Sequence, residues 1–186
     1  MLDRSVHEFL DEVAAPTAII TSGSVCAVAA AAAAGLAAMS ARLCTVDALR
    51  ERAAHAESLR QQAMELAEAD SAAYHAVLQA RRRDKNDPGR AEALRDALVA
   101  ASQPPQRIAA VSADIAAVAA DLAARGKPAL RGDAISAAEL AAATARSAAV
   151  LVRLNLSSAG LSPDAAVDEA AAAARRSADS ALGTAR

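Results

Sequence analysis

The chain has no tryptophan, one phenylalanine and one tyrosine among its 186 residues, which leaves few large side chains for packing. Glycine and proline are sparse, at 7 and 6 residues, so little in the sequence breaks a helix. The two cysteines, Cys26 and Cys44, belong to one apolar segment. If that segment is a continuous helix, geometry excludes a disulfide between them, and both read as buried free thiols of a reducing cytoplasm. Charge is nearly balanced, at a net −2, which argues against a dedicated nucleic-acid surface. His7, His55 and His75 are isolated, so no zinc pattern forms and no metal site is expected. Phosphate loops, dinucleotide fingerprints and nucleophile motifs are also missing.

What is present in abundance is alanine, about a third of the residues and the best helix former. An all-α single domain spanning 1–186 follows. Because alanine buries little area, stability has to come from long helices whose backbones approach closely, often across a dimer interface.

Residues 13–41 carry no charged side chain. That length suffices for the ~20 residues of a membrane span, but Pro16, Thr17, Thr21, Ser22, Gly23 and Ser24 dilute its first half. Asp3, Glu8, Asp11 and Glu12 stand where a signal peptide would place basic residues. The expected outcome is a soluble chain with this helix buried and no membrane partner.

Along the chain, Ser5-Val6-His7-Glu8 reads as a capping box opening a short first helix. Ser24 is placed to cap a second helix to about Leu43. Asp47 is placed to cap a third through about Arg83, roughly 55 Å long. The run 84–89 is a loop, and a fourth helix covers about 90–101. Pro104-Pro105 opens a fifth that stops at Gly126. Asp133 is placed to cap a sixth, to about Leu156. The last helix, about 163–182, alternates alanine with charge and reads as partly to mostly solvated. The expectation is a bundle of six or seven helices with long, alanine-rich central ones.

Several separated features stand in one order. Phe9-Leu10-Asp11-Glu12-Val13 is followed by Pro16 and by Ser22-Gly23-Ser24-Val25, then an alanine helix with Met39. Asp70-Ser71-Ala72-Ala73-Tyr74, Lys85-Asn86, Pro104, Gly126, Asp133 and Arg153-Leu154-Asn155-Leu156 come after them. This order, over about residues 5–180, resembles the formiminotetrahydrofolate cyclodeaminase domain and the related bacterial methenyltetrahydrofolate cyclohydrolases. The resemblance implies a cytoplasmic, helical homodimer with a folate-binding crevice near the subunit interface. It also implies acid–base chemistry on a tetrahydrofolate derivative: either cyclisation with loss of ammonia or hydrolysis of the methenyl ring. No cofactor beyond the folate is implied.

Carried onto this chain, the resemblance makes Asp133 the group that moves the proton, with Asp70 assisting. Asp133 also reads as an ordinary helix cap, and Asp70 as a solvated helix residue. Asn155 offers a donor and an acceptor for the pterin edge. Ser22, Gly23 and Ser24 offer hydroxyls and amides at a helix N-terminus, or simply a capping turn. Lys85, beside Arg81, Arg82 and Arg83, suits the carboxylates of a glutamyl tail, although cations also favour helix C-termini. The chain departs from the family pattern at Thr21 and Ser22, where glycines are usual, at Ala72 in place of a glutamate, and at Leu151 in place of an asparagine. These departures frame the alternative of a helical dimer that keeps the scaffold and serves as a binding or interaction module.

Overall fold

In the computed structural model the described residues are 4–16, 20–163 and 165–185. Residues 17–19 of the charge-free stretch and residue 164 at the start of the last expected helix lie outside them. The helices are α1 (Val6–Ala14), α2 (Ser22–Arg42), α3 (Asp47–Arg50), α4 (Arg52–Arg82), α5 (Arg90–Ala100), α6 (Gln103–Arg125), α7 (Arg131–Ser158) and α8 (Ala165–Gly183). No strand occurs among the described residues. The seven expected helices are all present. The third is divided, since the one-turn α3 leads through Glu51 into α4, which at 31 residues is about 46 Å long.

Several boundaries follow from local chemistry. Ser5 and Glu8 form the reciprocal capping box at α1. Pro104 and Pro105 lie in the first turn of α6, where a missing N–H costs nothing, and Gly126 caps its end. At the end of α7, Gly160 adopts φ 73°. The Leu161 amide donates to the Leu156 carbonyl and the Gly160 amide to that of Ser157, a Schellman closure that the left-handed glycine permits.

Three expected caps differ. The cap of α2 is Thr21, whose hydroxyl accepts from the Ser24 amide at 3.0 Å. That hydroxyl stands three residues before an otherwise unpaired N–H, which is the capping geometry. Asp47 and Asp133 both lie inside the first turns of their helices rather than at the caps, which are Val46 and Leu130. In the first turn a carboxylate still complements the helix dipole.

The α2 helix lies among α4, α6 and α7, α6 also packs on α4 and α7, and α8 covers α6 and α7. The apolar sequence of α2 is long enough to cross a membrane. Its role here is as a core helix, with Ala27, Ala30, Ala34, Ala37, Ala38 and Ala41 buried on more than one face. The facing stretch of α7 is likewise alanine, including Ala134, Ala138, Ala141, Ala145 and Ala148. Leu59, Leu66, Ile108, Ile115 and Leu122 supply most of the bulk. Helices meeting through methyl groups come together more closely than leucine would allow, which answers the shortage of large residues.

The last helix is more deeply packed than expected. Val167, Ala171, Ala174, Ala178 and Ala181 form a buried seam at helical spacing, while the charged positions face outward. By contrast, α1 buries no residue, and Val6 and Leu10 are 75% and 56% exposed.

Candidate functional site

A cavity of about 310 Å³ opens where the start of α2, the second half of α4, the α5–α6 corner and the end of α7 converge. On α4, Asp70, Tyr74, Val77 and Arg81 line it. Their spacing of four, three and four residues puts them on one helix face. Eleven residues at 1.5 Å each place Arg81 about 16 Å along the helix from Asp70. Thr21, Ser22 and Gly23 close the Asp70 end from α2, and Leu98, Ala101 and Pro105 form an apolar wall. Leu151 and Asn155, one turn apart on α7, and Ile20 ahead of α2 complete the lining. A small separate hydrophobic cluster of Val77, Leu98, Ala101 and Ala159 supports this corner.

Asp70 is 7% exposed and has no ion-pair partner among the described residues. The Thr21 hydroxyl and Asp70 Oδ2 share a hydrogen bond at 2.5 Å. Burial raises the carboxyl above its ordinary pKa, against the lowering influence of the Thr21 hydroxyl and the Ser24 amide. The neighbouring Cys26 thiol is also pushed up, first by burial and then by the Asp70 charge. Gly23 is what lets this carboxyl sit so close to α2. A Cβ at that position would lie 2.2 Å from Asp70 Oδ1 and 2.3 Å from Cγ. The glycine thus makes room for an acid on α4 rather than for a ligand at the turn.

Asn155 donates from Nδ2 to the Ala101 carbonyl at 2.8 Å. That bond ties α7 to the end of α5 and orients the side chain beside the cavity. Ser24 is fully buried behind the lining, and its hydroxyl donates to the Ala67 carbonyl at 2.8 Å.

Of the residues picked from the sequence, Asp70, Ser22, Gly23 and Asn155 line one cavity, with Ser24 directly behind. Asp133 does not join them. It is half-buried in the first turn of α7, and the 22 residues separating it from Asn155 amount to about 33 Å of helix. Lys85 lies exposed in the loop after α4 and is not part of the lining. Arg81, one turn nearer, takes the basic position at the cavity. Thr21 is the polar lining residue the sequence reading passed over. Its signal was the Thr-x-x-Ser spacing, overlooked in favour of the later serine. Among the described residues no three His, Cys, Asp or Glu side chains converge to hold a metal ion.

Among solved structures, a formiminotetrahydrofolate cyclodeaminase from Thermotoga maritima shares this fold. Its TM-score is 0.77 at 24% identity, covering 99% of this chain and 93% of that one. No curated protein matches the chain significantly. The family model for formiminotransferase-cyclodeaminase matches residues 5–176, which includes every residue of the cavity. With nearly the whole sequence matched and the helical architecture in agreement, the chain belongs to the formiminotransferase-cyclodeaminase family.

Proposed function

We propose that this chain is a folate enzyme of cyclodeaminase type, working by acid–base catalysis with Asp70 as the proton-handling group. The observation that carries this reading is a buried, cation-free carboxyl at one end of a cavity whose other end presents Arg81. A formimino-tetrahydrofolate has matching polarity. Its reacting one-carbon unit becomes cationic at one end, and its glutamyl tail is anionic at the other.

In the cyclisation, the folate N10 bonds to the formimino carbon and the bond from that carbon to the terminal nitrogen breaks. That nitrogen already holds one hydrogen. It receives the proton of Asp70 and the one released by N10, and leaves as ammonia with the bonding pair. A methenyl cation remains facing the Asp70 carboxylate. The charge pair forms only as the reaction proceeds, which is the condition for lowering the barrier rather than merely binding substrate. Asn155 and Ser22 orient the pterin edge, Tyr74 and Leu98 flank the middle of the ligand, and Arg81 receives the tail in place of Lys85.

A cytoplasmic homodimer is the assembly that fits. A nine-residue helix is marginal in water by itself, and α1 leaves Val6, Leu10 and Val13 uncovered. Leu140, Val150 and Leu154 add an exposed apolar stripe along α7. Asp133 enters the chemistry only if a second copy brings it to the cavity.

Ammonia release and methenyl-folate absorbance, followed separately with formimino- and methenyl-tetrahydrofolate, test the reading. Wild type is expected to release ammonia from the former, and Asp70→Asn to lose that rate by about a hundredfold or more. No ammonia release and no folate binding by calorimetry refutes the enzyme and leaves the binding-module alternative. A loss in Asp133→Asn equal to that in Asp70→Asn moves the site to a subunit boundary.

A further inference from the structure

Asp70, Thr21, Ser24 and the Ala67 carbonyl form a chain of oxygens across the α2–α4 contact. Thr21 Oγ1 lies 2.5 Å from Asp70 Oδ2 and 2.8 Å from Ser24 Oγ, and Ser24 Oγ lies 2.8 Å from the Ala67 oxygen. All three separations are hydrogen-bond lengths for O–H···O. Three such contacts need three protons, yet the two hydroxyls own only two and the carbonyl owns none. The Ser24 amide donates to Thr21 Oγ1 at 3.0 Å and also favours the charged form of Asp70, but its proton lies between a nitrogen and an oxygen and fills none of the three oxygen pairs. With an ionised Asp70, one of these buried or part-buried oxygen pairs would face each other with no proton between them. With a neutral Asp70 each link carries one proton, running from the carboxyl through Thr21 and Ser24 to the carbonyl.

We infer that Asp70 rests as a neutral acid whose proton is held by Thr21, making Thr21 the positioning residue of the site. The surroundings agree with a neutral group. The titratable side chains facing Asp70 are Cys26 from α2 and Tyr74 from its own helix, with Arg81 about 16 Å along α4. From α7 the lining supplies the uncharged Leu151 and Asn155, and from α5 and α6 only apolar residues. No cation is within ion-pair reach among the described residues. A neutral resting acid also orders the chemistry of the proposed function. It can give a proton to a departing amine at once, whereas opening the methenyl ring with water calls for a carboxylate base from the start. The inference rests on that reading only for this consequence, because the protonation state is a property of the free protein.

The test therefore uses the protein without substrate. Infrared difference spectra of wild type against Asp70→Asn at pH 7 cancel every other carboxyl. The expected result is the carbonyl stretch of a hydrogen-bonded carboxylic acid, and a carboxylate signal alone overturns the inference. Thr21→Ser keeps the band in place, while Thr21→Val shifts it toward that of an unbonded acid or abolishes it. Since Thr21 also caps α2, Thr21→Asn serves as a folded control that preserves a good cap but removes the bridging hydroxyl. A band unmoved in Thr21→Asn and Thr21→Val removes Thr21 from the role. In turnover, loss of the bridge is expected to lower kcat about tenfold or more with KM little changed. Thr21→Ser is expected to restore kcat, and an equal fall in Thr21→Ser would point to a structural role instead. An absent activity with the acid band present would sink the proposed function and leave this inference standing.

Discussion

Replacing Gly23 by alanine puts a methyl carbon 2.2 Å from Asp70 Oδ1, 2.3 Å from Cγ and 2.4 Å from Oδ2. The whole carboxyl group blocks the site, so a small rotation does not clear it. The Asp70 side chain must swing away and give up its bond to Thr21. Leaving buried polar groups without partners costs about 1–3 kcal/mol, and overpacking a tight contact costs a similar amount. Against this, alanine in a helix is better than glycine by up to about 1 kcal/mol. The expected net loss is about 1–5 kcal/mol in the wild-type background. With Asp70 already changed to alanine, the clash disappears and only the helix term remains, so Gly23→Ala becomes neutral or slightly stabilising. A double-mutant cycle by urea denaturation is then expected to give a coupling of about 2–6 kcal/mol. If Gly23→Ala costs the same with and without Asp70, the glycine is not holding space for the carboxyl and the geometry argued for the site is wrong.

Three other outcomes follow from the same structure. Arg81→Gln is expected to raise KM for a folate with free glutamyl carboxylates about three- to tenfold, the range for an exposed charge pair of about 1 kcal/mol. Lys85→Gln changes it little, and a folate with its tail carboxylates converted to amides removes the difference; equal effects of the two substitutions would reject Arg81 as the anchor. Because the folded carboxyl of Asp70 holds its proton to higher pH than an unfolded one, its stability contribution is fully present below the ordinary carboxylate range and is lost as pH rises through the raised value. Denaturation midpoints of Asp70→Asn minus wild type should therefore climb over that interval, and a flat difference contradicts the shift. For assembly, Val6→Glu with Leu10→Glu is expected to turn a dimer into a monomer in sedimentation velocity, with helix content nearly unchanged; a wild type that is monomeric at every concentration rejects the dimer.

Much of the fold was legible because its signals are local. The Ser5–Glu8 box, the Pro104-Pro105 entry and the Gly126 stop each act within one helical turn, and the structure places all three as expected. The packing of α8 was not legible. A seam made almost wholly of alanine between charges carries little contrast in hydrophobicity, so its buried face and its solvated face look alike in sequence. Thr21 and Ser24 compete for one cap, and the choice depends on where α2 begins, which is set by its approach to α4. At the candidate site, the family resemblance drew attention to both Asp70 and Asp133. Only the three-dimensional path of α7 separates them, since Asp133 stands about 33 Å along that helix from Asn155, which lines the cavity with Asp70. The grouping of Asp70, Tyr74, Val77 and Arg81 was present as a four-three-four spacing. Without knowing that α5 and α7 leave that face uncovered, it reads as one more stripe of a long helix.

The alanine-rich contact between α2 and α7 has a consequence for the thermodynamics of folding. An alanine methyl has no rotamers to lose, whereas ordering a leucine or isoleucine costs about 0.5–1 kcal/mol of side-chain freedom. A core of methyl groups therefore gives up part of the hydrophobic gain while avoiding much of the side-chain entropy that usually opposes it. The same core has few side chains able to rearrange. Any larger residue at Ala30, Ala34, Ala138 or Ala145, all fully buried, would have to be absorbed by moving whole helices. The cavity is walled by both of these helices, so a substitution deep in the bundle would reach the site as a change in interhelical spacing, with no lining residue altered.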